Sequence, residues 1–143
     1  MTVRSILDEK GHDVVTLTPS ATLLEAAQLL GQRRIGAVVI TRGDRRIAGI
    51  LSERDIVRAV GEKGGEALSL PVEQVMTAKV STCRESHTVN EVMETMTRGR
   101  FRHLPVERDG YLEGIISIGD VVKRRIEEVE REAEEIKTYI ATA

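Results

Sequence analysis

The sequence of 143 residues predicts an α/β fold made of two similar units, and three observations lead to that prediction. The segment GILSERD at residues 49–55 returns as GIISIGD at residues 114–120. The segment TLLE at residues 22–25 returns as TVNE at residues 88–91. Short runs rich in β-branched residues alternate with stretches whose apolar residues have helical spacing. Because internal repetition fixes architecture, we expect two copies of one unit that bury a shared face and form two related grooves.

The first copy has the predicted order strand, helix, strand, strand, helix. Thr22 and Glu25 form a T-x-x-E pattern, which marks a helix start through a capping box. Polar residues 42–46 separate two apolar runs of strand length, which predicts a hairpin. The predicted elements are a strand over 13–17, a helix over 22–34, strands over 35–40 and 47–51, and a helix from 53 to about 61.

The second copy repeats this order. Its predicted elements are a strand over 80–82, a helix marked by Val89, Val92, Met93 and Met96, and strands over 102–106 and 111–117 that flank a turn at Asp109-Gly110. The two repeated motifs are 65 and 66 residues apart, so the second copy lacks one residue. We place that deletion in the hairpin turn, where changes in length are tolerated. The predicted division is a first unit over residues 1–63, a connector over 64–75 and a second unit over 76–143.

From Val121 the sequence predicts a long helix that continues almost to the C-terminus. Its apolar residues recur at spacings of three and four, at Val122, Ile126, Val129, Ala133, Ile136 and Ile140. Such a stripe is typical of an amphipathic helix that covers its own domain, and also of a helix that pairs with another helix. We favour pairing with a partner chain.

Composition excludes several classes of function. Apolar residues make up 41% of the chain, enough for a core, but only three residues are aromatic. The formal net charge of −2 and the scarcity of aromatic rings argue against nucleic-acid partners. No apolar run approaches the roughly 20 residues of a membrane span, and the N-terminus lacks the apolar stretch of a signal peptide. Cys83 is the single cysteine, which excludes disulfide frameworks and multi-cysteine zinc sites. We expect a cytoplasmic protein without a membrane partner or a metal centre.

The repeated G-x-x-S-x-x-D motif allows a structural and a functional interpretation. Each Ser and Asp stands where a strand gives way to a helix, and S-x-x-D is a capping-box pattern. In the functional interpretation, the free N–H groups of the helix N-terminus suit phosphate. The carboxylate accepts hydrogen bonds from a ribose diol, and the glycine lets a base approach the backbone. One such motif is weakly specific, but two at matched positions of matched units favour nucleoside binding.

The chain resembles a tandem pair of CBS domains, the regulatory module of the cystathionine β-synthase type, over about residues 14–122. The order of the elements, VMT at residues 75–77, HLPV at residues 103–106 and the G-x-x-S-x-x-D motif in both copies carry the resemblance. The resemblance implies two adenosine sites, one in each copy.

The resemblance also assigns residues to these sites. It implies that Asp55 and Asp120 hold the ribose, with Ser52 and Ser117 as their hydroxyl neighbours. It further implies that the first strand of each copy lies near the adenine, which corresponds to Thr16 and Thr18 in the first copy and to Lys79, Val80 and Thr82 in the second.

Phosphate groups need cations, and three arginines are candidates. Arg54 lies inside the first motif, whereas its counterpart in the second motif is Gly119, which predicts two non-equivalent sites. Arg100 and Arg102 precede a strand of the second copy, and guanidinium groups suit phosphate. We add His103 as a neighbour of the second site and Pro105 as a residue of its base pocket, where the first copy has Val39.

The resemblance implies a non-catalytic regulator that binds AMP, ATP or NAD, forms a homodimer and passes the bound state to an unknown regulated protein. A ligand would act by binding one arrangement of the protein better than another. The alternative is a ligand-free dimeric interaction or scaffold module. An enzyme is disfavoured, because the sequence offers no nucleophile–base pair, no phosphate-binding glycine loop and no metal constellation. We therefore expect no catalytic residues and no required cofactor.

Overall fold

A computed structural model describes residues 1–142 of the chain. The helices are α1 (Val3–Lys10), α2 (Leu23–Arg33), α3 (Glu53–Lys63), α4 (Val89–Gly99) and α5 (Ile118–Thr142). The strands are β1 (Thr16–Leu17), β2 (Ala37–Arg42), β3 (Arg46–Ser52), β4 (His103–Arg108) and β5 (Tyr111–Ser117). Two 3₁₀ helices follow α3, at Gly64–Ser69 and Val72–Gln74. The mixed α/β class, the two similar units and the long C-terminal helix predicted from the sequence are confirmed.

The chain forms two compact units, and each is assembled from separate segments. The first-motif unit contains Asp13–Thr82 and the hairpin tip Glu107–Glu113. The second-motif unit contains Met1–His12, Cys83–Val106 and the chain from Gly114 onward. The sequence boundaries at 63, 64–75 and 76 concern copies along the chain, and they stay a prediction.

In the first-motif unit, β2 is the central strand. It pairs in parallel with β1, where Thr16 lies opposite Val39. It pairs antiparallel with β3, where Ala37 lies opposite Ser52, and the register shifts between Ile40 and Thr41. The first residue of β3 also pairs with the first residue of β5, which gives the strand order β1-β2-β3-β5-β4. The core of the unit is aliphatic and includes Leu23, Ala26, Leu30, Val38, Ile40, Leu51, Ala67 and Val72.

In the second-motif unit, α1, α4 and α5 pack around the buried parts of β4 and β5. The core residues are Val3, Ile6, Leu7, Cys83, Val89, Val92, Met96, Leu104, Val106, Ile116 and Val121. Arg124 of α5 ties this helix to α1, because its guanidinium donates hydrogen bonds to the Ser5 carbonyl at 2.8 Å and to Glu9 at 2.6 Å. Cys83 is buried within this core, with 3% of its surface exposed.

Most local signals proved reliable. The capping box of Thr22 and Glu25 is present at the start of α2. The predicted turn at Asp109-Gly110 is confirmed, and both residues have positive φ angles of 53° and 87°, as hairpin turns of two residues require. No helix within residues 1–142 combines the length and the apolar character that crossing a bilayer demands.

Two local predictions were wrong and one α-helix was missed. Residues 80–82 do not form a strand, and the chain there is irregular. An isolated parallel bridge joins the next residue, Cys83, to Val106. The first strand covers Thr16–Leu17 instead of residues 13–17. Helix α1 was not predicted, because its eight residues carry no capping side chain and only one turn of clear apolar spacing.

Candidate functional site

The first motif lies where β3 ends and α3 begins. The backbone N–H of Ser52 donates a hydrogen bond to Oδ2 of Asp55 at 2.8 Å, and the Ser52 hydroxyl donates to the same oxygen at 3.1 Å. In return, the Asp55 N–H donates to the Ser52 hydroxyl at 3.4 Å. The two residues therefore form a capping box, and the structural interpretation of the motif is confirmed here.

The second motif has the same backbone arrangement where β5 meets α5. The Ser117 N–H donates to Oδ2 of Asp120 at 2.9 Å, and the Asp120 N–H donates to the Ser117 hydroxyl at 3.2 Å. A third group takes part in this motif: Nζ of Lys10, at the end of α1, lies 2.6 Å from the same carboxylate oxygen. The second motif is thus a capping box combined with an ion pair.

Both carboxylates keep one oxygen outside the capping box. Within residues 1–142, every hydrogen bond that the carboxylate of Asp55 or Asp120 accepts ends on Oδ2. The nearest cation to Oδ1 of Asp55 is Arg58, at 4.0 Å, and this exposed pair is too long for a hydrogen bond. Capping and ligand binding are therefore compatible, because one oxygen closes the helix end while the other can accept a hydroxyl.

The pKa of Asp120 is lower than its ordinary value of 3.8. Burial raises this pKa, but the hydrogen bond from Lys10, the backbone N–H of Ser117 and the positive charge of Lys10 together lower it further than burial raises it. Asp120 is consequently a carboxylate at neutral pH, the form that accepts hydrogen bonds from a diol. Sequence reasoning missed Lys10, which lies 110 residues from Asp120 in an element that was not predicted.

The glycine of each motif is buried beneath another segment of its own unit. A Cβ added at Gly49 would lie 2.9 Å from the carbonyl oxygen of Thr77, next to the Met76 side chain. Thr77 also exchanges two backbone hydrogen bonds with Ile50, at 2.9 and 3.0 Å. A Cβ at Gly114 would lie 2.8 Å from Cδ2 of Leu7. The close approach that each glycine permits is made in this structure by the protein's own residues.

The base-side residues predicted for the first copy lie in the first-motif unit. Thr16 pairs with Val39 on one side of β2, while Ser52 pairs with Ala37 on the other side, so the same strand holds both. Thr18 follows β1, is exposed, and its hydroxyl lies 3.5 Å from that of Ser20.

The base-side residues predicted for the second copy belong to the first-motif unit, while Asp120 belongs to the second-motif unit. Lys79 is exposed, and Val80 and Thr82 are half-buried in an irregular segment. Their assignment to the second ligand stays a prediction.

The candidate phosphate-binding arginines differ between the motifs. Arg54 is exposed in the first turn of α3, beside Asp55. The carbonyl of Arg102 accepts a hydrogen bond from the Ile118 N–H at 2.8 Å, which places Arg102 beside the start of α5. The corresponding carbonyl at the first motif belongs to Gly36, which accepts from Glu53. The candidate arginine of the first motif, Arg54, therefore lies in the helix. The candidate beside the second motif, Arg102, lies immediately before β4.

The other residues predicted near the second motif have largely structural positions. Arg100 is the left-handed C-cap of α4, with φ of 57°, and is exposed. His103 begins β4 and is half-buried. Pro105 is buried, and its carbonyl accepts a hydrogen bond from the Cys83 N–H at 3.0 Å.

Two similar α/β units, each with a strand that opens into a Ser-Asp capped helix, define a tandem-repeat module. The chain belongs to the CBS domain family, whose sequence profile matches residues 3–62 and 72–127. A 17.7 kDa protein of Acidianus ambivalens is 33% identical over 129 residues, which span 87% of this chain and 77% of that protein. The two matched segments begin at Val3 and Val72. Leu7 and Met76 each lie four residues into their matched segment, and each packs on a motif glycine.

Solved structures show the same likeness. The CBS-domain protein ATU1752 of Agrobacterium tumefaciens is 50% identical, with a TM-score of 0.84, and the match covers 87% of this chain and 99% of that one. The CBS domain protein PAE2072 of Pyrobaculum aerophilum, solved in complex with AMP, is 31% identical with a TM-score of 0.75. That match covers 84% of this chain and 89% of the other.

Proposed function

We propose that this protein is a non-catalytic regulatory module that binds an adenine nucleotide, AMP, ATP or NAD, at its two Ser-Asp motifs. Asp55 and Asp120 accept hydrogen bonds from the ribose hydroxyls, and Ser52 and Ser117 stand beside the ribose or the phosphate. The bound state is passed to a regulated protein by a homodimer in the cytoplasm. No residue is assigned a catalytic role.

The observation that carries this proposal is that the two oxygens of each carboxylate have different partners. In both motifs Oδ2 closes the capping box, and Oδ1 accepts no hydrogen bond from residues 1–142. A ribose diol needs acceptors at one edge of a carboxylate, so it can bind without breaking the helix cap. The N–H groups of the first turns of α3 and α5 add partial positive charge at the same place.

The AMP complex of the Pyrobaculum aerophilum protein supports the choice of ligand class. The cations beside the motifs fit a phosphorylated ligand better than a nucleoside, because Arg54 lies next to Asp55 and Lys10 lies 2.6 Å from Asp120. A ligand shifts the protein between arrangements only through a difference in affinity for them.

The test is a calorimetric titration of the full chain with AMP, ADP, ATP and NAD, supported by thermal unfolding. A ligand that binds the native state must raise the melting temperature by mass action. Asp55→Asn and Asp120→Asn are the decisive variants, because the amide oxygen still accepts the serine N–H while an NH₂ group replaces the second oxygen. We expect each variant to weaken binding at its own motif by roughly tenfold, the loss of one or two charge-assisted hydrogen bonds.

Glu91→Ala is the matched control. Glu91 belongs to a capping box with Thr88, with distances of 3.1 and 3.3 Å, and neither residue is in a Ser-Asp motif. The variant therefore removes a helix cap of the same kind without touching a proposed ligand contact. A flat response of the wild type to millimolar nucleotide, or asparagine variants with wild-type affinity, would contradict the proposal and favour the scaffold alternative.

A further inference from the structure

The outer half of α5 differs from the rest of the molecule in its surroundings. Arg124 fixes the first half of this helix on α1 through Ser5 and Glu9. Every residue from Val129 to Thr142 is exposed. At 1.5 Å per residue, this exposed segment is roughly 20 Å long.

The exposed segment carries an apolar stripe along one side. Val129 is 46% exposed, Ile136 60%, Tyr139 75% and Ile140 68%. With Ala133, three of these residues form a repeat at spacings of four, three and four. Burial of exposed β-branched side chains at this spacing against a second helix is favourable. An isolated helix of this length is only marginally stable in water.

The stripe begins at Val122 and Ile126, which are 41% and 52% exposed, and its part from Val129 onward lies outside the segment that defines the family. The CBS profile ends at residue 127, two residues before the exposed segment begins. The packing of the CBS unit therefore does not explain the stripe from Val129 onward.

The charges beside the stripe indicate what covers it. Glu130 and Lys137 flank the stripe on the same side, seven residues apart. When two copies of the segment run antiparallel, with the two-fold axis between Glu134 and Glu135, Glu130 of each copy lies beside Lys137 of the other. Two equivalent ion pairs result, as a symmetric interface requires.

The apolar residues match in the same register. Ala133 lies opposite Ile136 of the second copy, and Val129 lies opposite Ile140, so every layer combines a smaller with a larger side chain. A parallel pair would instead stack Ala133 on Ala133 and leave that layer thin. In that pair Lys137 of each copy would lie beside Glu132 of the other, and Glu130 would lie beside Arg125, which already binds Glu128 at 3.1 Å. The orientation therefore follows from the matching of the apolar layers.

We propose that residues 129–142 form an antiparallel helix pair with the same segment of a second copy of this chain, held by the apolar stripe and two Glu130–Lys137 ion pairs. The interface does not use the Ser-Asp motifs. Its failure is thus distinguishable from failure of nucleotide binding.

Sedimentation equilibrium of the full chain tests the interface. Wild-type protein is expected to be dimeric at about 100 μM, a concentration that detects even weak association. Ile136→Ser removes one stripe residue from each copy and should raise the dimer dissociation constant by roughly a hundredfold or more. Because Ile136 is 60% exposed, the circular dichroism of the variant should show an intact fold.

Charge reversal tests the register and the orientation. Glu130→Lys and Lys137→Glu each place like charges side by side twice per dimer, and each should raise the dissociation constant by about tenfold. The double variant exchanges the two charges and should return to within about threefold of wild type. Glu134→Lys makes the same change away from the stripe and serves as the control, with an expected effect below about twofold.

Three outcomes would overturn the proposal. The first is a monomeric wild type, and the second is a dimer that Ile136→Ser does not weaken. The third is a double charge variant that associates more weakly than both single variants. That third result would indicate a parallel pair. In a parallel pair, Glu130→Lys would bring a second cation beside Arg125, and Lys137→Glu would bring a second carboxylate beside Glu132, so the two losses would add in the double variant.

Discussion

The two Ser-Asp motifs have the same backbone structure and different surroundings. Ser52–Asp55 and Ser117–Asp120 both close a helix N-terminus through reciprocal hydrogen bonds. Lys10 binds the second carboxylate at 2.6 Å, while the first has only the exposed Arg58 at 4.0 Å. Local geometry follows the repeated sequence, but the charge around each carboxylate comes from residues that are not repeated. We therefore expect two sites with equal caps and unequal ligand preferences.

The largest expected difference between the two motifs is the loss of stability when each motif glycine is replaced by alanine, because different residues pack on the two glycines. Gly49→Ala brings a Cβ to 2.9 Å from the Thr77 backbone oxygen, which is held by hydrogen bonds to Ile50. Gly114→Ala meets only the end of the Leu7 side chain, at 2.8 Å, and that side chain can rotate. We expect destabilisation by about 2–3 kcal/mol for Gly49→Ala and about 1 kcal/mol for Gly114→Ala.

Urea unfolding of the two glycine variants measures this difference. Gly61→Ala is the control, because a Cβ at this position in α3 meets no atom within 4 Å, and it should stabilise the protein by about 0.5–1 kcal/mol. Equal losses at Gly49 and Gly114 would mean that the two covers are equally rigid.

The serines should show what the motifs share. Ser52→Ala and Ser117→Ala each remove the hydroxyl that accepts the N–H of the aspartate three residues later. Each variant should lose about 1 kcal/mol of unfolding free energy, because each leaves one helix donor without its partner. The same unfolding assay applies, and a loss at only one serine would show that the two caps are not equivalent.

A smaller effect is expected on ligand selectivity, measured as the ratio of the affinities for AMP and adenosine at each motif. If the proposed function holds, the ammonium group of Lys10 favours phosphorylated ligands at the second motif, as Arg54 does at the first. Lys10→Met should lower the affinity ratio of AMP to adenosine at the second motif by about threefold to tenfold. Calorimetric titration in the Asp55→Asn background isolates this motif.

Lys123→Met is the control for Lys10→Met. Lys123 also binds an acidic partner within the same unit, Glu9 at 3.3 Å, but it is not next to a motif carboxylate. An unchanged ratio in Lys10→Met, or an equal fall in Lys123→Met, would assign the selectivity to other residues.

The smallest expected effect is on the titration of Asp120. Its folded pKa lies below 3.8, so its ionised form stabilises the protein above that value, and this contribution is lost as the pH falls through the folded pKa. Lys10→Met removes two causes of the lowering and leaves burial, which raises the pKa. Carboxyl NMR titration should therefore give a higher pKa in the variant. An unchanged pKa would mean that the Lys10 contact is not maintained in solution.

Elements with short-range signals could be predicted from the sequence. The capping boxes join residues three apart, and the turn at Asp109-Gly110 needs two residues that tolerate positive φ, so both are visible in a few letters. The error at residues 80–82 has the opposite cause. Val80-Ser81-Thr82 has strand propensity, but a strand also needs a partner along its length, and the pairing there is limited to one bridge at Cys83.

The candidate sites divide in the same way. The serines and aspartates were found because the motif occurs twice, and the asymmetry between Arg54 and Gly119 is visible in the letters. Arg102 was found as a candidate, but its place beside the second motif depends on a backbone hydrogen bond to Ile118.

The sequence by itself determined the repeat, the α/β class, the helix caps and the apolar stripe of α5, because each depends on residues close together in the chain. The tertiary structure alone decided that Lys10 binds Asp120, that Leu7 and Met76 pack on the motif glycines, and that the large apolar side chains of the α5 stripe are exposed. These features join residues far apart in the chain or depend on what surrounds them. Their energies come from packing and charge interactions in three dimensions, and such contacts leave no pattern among neighbouring residues of the sequence.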